Sequence, residues 1–133
     1  MRVVLDTNVL VSAIFFSGTP ARILTAWAEG RFEVCATVDI LTEYQRVVAR
    51  LEGRFPSIKA QPVLDLVIRS CHLVEPVPVP ESACDDPDDV KFLGCALAGG
   101  ASCIVSGDRA LLRASGFEGL LVLTPGAFAR RCL

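Results

Sequence analysis

The sequence predicts an α/β domain built around a mostly parallel sheet. Three observations carry that prediction. Short apolar, β-branched runs alternate with longer segments of helical periodicity from one end of the chain to the other. With 133 residues and 52% apolar content, the chain matches one domain with a substantial core. Acidic residues end two of the apolar runs, and in open parallel sheets binding sites gather at the carboxyl ends of strands.

In order, Val3–Asp6 reads as a strand at the head of the apolar stretch VVLDTNVLVSAIF. The polar loop around Ser17, Gly18, Thr19 and Pro20 starts a helix, with Thr19 as N-cap and Pro20 at its first position, running to about Gly30. Phe32–Ala36 is a second strand. From Val38 to Leu51, Ile40, Tyr44, Val47, Val48 and Leu51 fall on one helical face. Gly53–Pro62 connects to a helix over Pro62–Cys71, followed by a strand at Leu73 and Val74. The proline- and acid-rich PVPVPESACDDP reads as an extended surface connection. Asp88–Gly99 is a helix, Cys103–Ser106 a strand, Arg109–Ala114 a short helix and Leu120–Leu123 the last strand, with a helical tail from Pro125. There is no internal repeat, and residues 1–133 form one domain.

Composition narrows the function classes. No apolar run reaches the roughly 18–20 residues of a membrane helix, and no basic stretch leads into a secretory signal, so a cytoplasmic protein is expected. Six cysteines without a CxxC pair read as reduced, buried small hydrophobes. His72 is the only histidine, which leaves a zinc site or a histidine-dependent triad without support. The formal net charge of −2 requires any nucleic-acid binding to gather its basic residues on one face.

The acids carry the chemistry. Taken singly, each has a structural explanation: Asp6 an Asx-turn, Asp108 an N-cap, Glu43 a rim side chain turned outward. Asp86 with Pro87 fits a helix start, and Asp88 favours the helix dipole. Glu43, however, flanks the apolar stripe of its helix, and Asp89 shares a face with Leu93 and Ala96 on a helix apolar nearly all round. Four inward or rim carboxylates at two strand ends and on two helices would repel one another unless a cation neutralised them. Oxygen donors without His or Cys select a hard ion, Mg²⁺ or Mn²⁺, which suits phosphodiester hydrolysis.

The motifs VVLDTNVLVSAIF, ILTEY, DPDDVKFLGCALAGGASCIVSGD with RALL, and LVLTPGAF resemble the PIN-domain family of metal-dependent ribonucleases, in particular its bacterial toxin-type members. That resemblance implies an α/β/α sandwich, cleavage of single-stranded RNA, and bound Mg²⁺ or Mn²⁺. Carried over motif by motif, the catalytic and metal-binding acids are Asp6, Glu43, Asp89 and Asp108, with Asn8 placed to orient Asp6 or a water and Ser106 standing where the family more often has threonine. Lys91 and Arg109, within two residues of Asp89 and Asp108, are the best placed to grip RNA.

The reading is therefore a Mg²⁺/Mn²⁺-dependent endoribonuclease of the toxin type. Its expected partners are RNA, a cognate antitoxin and a second copy of the chain in a homodimer. Two rivals stand beside it. One is a PIN-like module that binds RNA or protein without cutting. The other is a phosphohydrolase with Asp6 as nucleophile, which lacks a second aspartate two residues on because Asn8 is there.

Overall fold

The computed structural model describes residues 1–133. Five strands form one sheet: β1 (Arg2–Leu5), β2 (Glu33–Ala36), β3 (His72–Leu73), β4 (Cys103–Val105) and β5 (Leu121–Leu123). Their spatial order is β3-β2-β1-β4-β5, and all four pairings are parallel. Seven helices connect and flank them: α1 (Thr7–Phe15), α2 (Thr19–Ala28), α3 (Val38–Glu52), α4 (Ala60–Ser70), α5 (Val90–Gly99), α6 (Arg109–Arg113) and α7 (Pro125–Cys132). Helices α1–α4 lie in the connections on the way out to β3, and α5 and α6 in the connections that return to β4 and β5. The chain reverses its direction of travel across the sheet between β1 and β4. That is the switch point of the fold, and the register there sets Leu5 beside Val105.

β1 and β4 are covered on both faces, as central parallel strands must be. Val3, Val4, Ile104 and Val105 are fully buried within a core cluster of 31 residues. No single helix is long and apolar enough to cross a membrane. All six cysteines are free, and Cys35, Cys84, Cys95 and Cys103 are buried.

Several boundaries differ from the sequence reading, each for a local reason. The stretch from Thr7 to Phe15 is not strand or loop but helix α1, which buries Thr7, Val9, Leu10, Val11 and Phe15. An apolar run hides helical period because every position looks like core. α2 is capped by Gly18 rather than Thr19: the chain arrives there with φ +113°, a conformation glycine adopts without strain. α4 starts at Ala60, ahead of Pro62, which its first turn tolerates because the N–H lost to proline has no intrahelical partner there. Within the acid-rich connection, a 3₁₀ turn over Pro87–Asp89 precedes α5, with Asp86 accepting from the Asp88 N–H at 3.0 Å.

Ahead of that turn, residues 74–80 form a strap across α5. The Val77 N–H donates to the Gly94 carbonyl at 3.1 Å. Closeness here depends on the missing side chain, since a Cβ on Gly94 would lie 2.6 Å from the Val77 oxygen.

Candidate active site

At the switch point the Asp6 N–H donates to the Val105 carbonyl at 3.0 Å, which fixes the end of β1 against the end of β4. Asp6 then occupies the N-cap position of α1, and its carbonyl accepts from the Val9 and Leu10 N–H groups. Its carboxylate makes no capping bond. It turns instead toward β4, where the buried Ser106 hydroxyl donates to Oδ2 at 2.6 Å. The same Ser106 oxygen accepts from the Asp108 N–H at 2.9 Å. One hydroxyl thus ties the two strand-end aspartates together.

Asp108 and Asp89 repeat the pattern. Asp108 is the N-cap residue of α6 and Asp89 that of α5, and neither carboxylate caps its own helix. The structural explanations available to Asp6 and Asp108 in the sequence are therefore not the ones realised. Asp89 Oδ2 is buried and receives no hydrogen bond from any donor. Burial, the nearby Asp108 carboxyl and the charges of Asp108, Asp6 and Asp86 push its pKa up to about 8. Asp6 is also raised: burial dominates, the Ser106 hydrogen bond works against it, and the charges of Asp108 and Glu43 add to the rise. The N-termini of α1 and α5 offer partial positive charge in return.

Glu43 stands apart from the three aspartates. It projects from α3, whose neighbour Tyr44 is fully buried and donates its hydroxyl to the Leu5 carbonyl at 2.5 Å. The residue after Glu43 is thereby fastened to the residue before Asp6. Both Glu43 oxygens are engaged: Thr7 Oγ1 donates to Oε2, and Lys91 Nζ to Oε1 at 2.7 Å, with Arg46 3.6 Å from Oε1. Burial opposes its charge, but the hydrogen bonds from Lys91 and Thr7 and the Lys91 and Arg46 charges outweigh that, so Glu43 lies below the ordinary glutamate range.

The remaining expected residues divide. Ser106 is in place. Asn8 is exposed on α1 and makes no hydrogen bond to Asp6, whose partner is Ser106. Lys91 is drawn inward to Glu43, leaving 22% of its side chain exposed, whereas Arg109 is exposed beside Asp108 with no ion pair. Sequence reasoning missed Thr7 and Tyr44. A threonine between two polar residues in an otherwise apolar run was the available signal for Thr7; Tyr44 reads only as a core aromatic.

No group of three or more His, Cys, Asp or Glu side chains is arranged to hold a metal ion by itself. The donor chemistry nonetheless fits a hard divalent cation. The donors are carboxylate oxygens, one oxygen is buried without a partner, and one carboxyl carries a proton that a cation would displace.

A family model described as PIN domain matches residues 2–110, a span that includes Asp6, Glu43, Asp89 and Asp108. No curated protein matches the chain.

Proposed function

The chain belongs to the PIN-domain family, whose members are generally nucleases, and from that premise we propose that it is a metal-dependent endoribonuclease acting on single-stranded RNA. One observation carries the proposal. Three aspartates sit at helix N-caps without capping, and their carboxylates turn toward one another at the switch point of the sheet. Capping would relieve each of them singly, so a cluster held against its own repulsion fits a cation and a phosphodiester better than it fits stability.

In this reading Asp6, Asp89 and Asp108 would hold Mg²⁺ or Mn²⁺, which supplies Lewis acidity at the phosphate and an activated water. Ser106 keeps Asp6 and Asp108 in register by donating to one and accepting from the backbone of the other. Glu43, ionised at neutral pH and oriented by Thr7 and Lys91, accepts the proton of the attacking water. Arg109 stands free at the rim for a flanking phosphate.

The test is cleavage of mixed single-stranded RNAs with Mn²⁺ and with EDTA, on the parent and on Asp6→Asn. Cleavage that needs Mn²⁺ and falls roughly a hundredfold or more in Asp6→Asn, the equivalent of about 3 kcal/mol, supports the reading. Cleavage indifferent to EDTA, or unchanged in Asp6→Asn, overturns it. The further proposal that the nuclease is the toxin of a toxin–antitoxin pair rests on the resemblance of its motifs. It requires expression to arrest growth and a neighbouring gene's product to relieve the arrest.

A further inference from the structure

Beside the acidic site lies a cleft of about 520 Å³, within the usual size range of small-molecule sites. One wall is the N-terminal half of α3, which presents Asp39 and Thr42; the other is the strap and the start of α5, which present Pro76, Val77, Val79 and Val90. Glu43, Arg46 and Lys91 also line it, so the cleft meets the candidate site at Glu43. We propose that this cleft is a base-binding subsite adjoining the scissile phosphodiester, and that it takes guanine in preference to the other bases. The proposal rests on the nuclease reading for its substrate and goes beyond it in naming where a base is held and which base.

The charge pattern decides between the parts of a nucleotide. Of the two cations at the cleft, Lys91 is hydrogen-bonded to Glu43 at 2.7 Å, and Arg46, exposed to solvent, lies 3.6 Å from the same oxygen. Asp39 and Asp88 also line the cleft, and neither forms a salt bridge. A phosphate is repelled from that end, and a group rich in N–H donors is drawn to it. Carboxylates accept only, and guanine offers two adjacent donors, N1–H and the N2 amino group, to a single carboxylate. Adenine and cytosine offer one amino group beside a ring acceptor. Uracil offers one N–H flanked by two carbonyls that a carboxylate repels. The apolar wall supplies a surface for the face of the base, and it is rigidly seated because Val77 is bonded to Gly94 with no room for a Cβ between them. Single-stranded RNA is read in this way, by unstacked bases held on their faces and bonded along their edges.

The direct test is titration of the protein with 5′-GMP, 5′-AMP, 5′-CMP and 5′-UMP in EDTA, followed by chemical-shift perturbation. GMP binding about tenfold tighter than UMP, with shifts at Thr42, Val77 and Val90, is the expected result. Loss of that preference in Asp39→Asn would place the edge contact on this carboxylate. Equal affinity for the four nucleotides, or shifts confined to other surfaces, overturns the subsite. RNA cleavage provides the separate readout: cutting in Mn²⁺ with no guanine beside the cut sinks the subsite and leaves the nuclease standing. A GMP preference in a protein that cuts no RNA does the reverse.

Discussion

At the scale of the residue, Asp89 is held as an acid whose folded pKa is well above its ordinary 3.8. Its protonated form is favoured by the fold, so its stabilising contribution is fully present below about pH 3.8 and is lost as pH rises through about 8. Glu43 has the opposite sign. Its pKa is lowered, and its contribution is present above the ordinary glutamate value and lost as pH falls. Up to about pH 8 the slope therefore belongs to Asp89, and Asp6, also raised, adds loss of the same sign. In EDTA the parent is expected to lose stability over that window, and Asp89→Asn to flatten the loss and melt higher at pH 8. Parallel pH profiles for the two proteins, by thermal unfolding, would refute the account. At this scale the sequence was informative where a residue's position contradicted its polarity: Asp89 on an apolar helix, Glu43 on the flank of a stripe. Asn8 lies exposed on α1 without a hydrogen bond to Asp6, which leaves orientation of a water as the role open to it.

Among the elements, the strap and α5 depend on two glycines. A Cβ at Gly94 would meet the Val77 oxygen at 2.6 Å, and one at Gly99 would meet Cys35 Sγ at the same distance. Alanine is the better helix former by roughly 0.5–1 kcal/mol, and overpacking costs about 1–3 kcal/mol, so the clash decides the sign. Gly94→Ala is expected to destabilise by about 1–2 kcal/mol net in denaturant unfolding. Gly53→Ala, with its nearest contact at an ordinary 3.4 Å, is expected to be neutral or stabilising and serves as the control. A neutral Gly94→Ala would mean that the strap is not seated as described. Alternation of strand and helix was readable because β1, β2, β4 and β5 are short apolar runs rich in valine, isoleucine and leucine, whereas β3, only His72–Leu73, is an exposed edge pair. α1 was not, because a helix buried on most sides carries no polar face to reveal its period. Glycines that permit close approach are invisible for a related reason: their requirement lies in a partner far along the chain.

For the whole molecule, the net charge of −2 has to be reconciled with the proposed RNA substrate. Lys91 is hydrogen-bonded to Glu43, and Arg109, adjacent to Asp108 in the chain, is exposed and unpaired. Arg109→Ala is expected to weaken RNA binding across sequences and to reduce the slope of log affinity against log salt by about 0.7, the value for one contact to a single strand. An unchanged slope would return Arg109 to the role of a solvated surface charge. The same architecture sets an order of events in synthesis. β1 is the central strand, and Asp6 finds its hydroxyl donor at Ser106, 100 positions later. At about 5–20 residues per second the first aspartate leaves the ribosome roughly 5–20 s before the serine that holds it. A nascent chain therefore has no assembled centre. Under the proposed reading the site cannot act until translation has passed β4, and any product truncated before Cys103 lacks both Ser106 and Asp108.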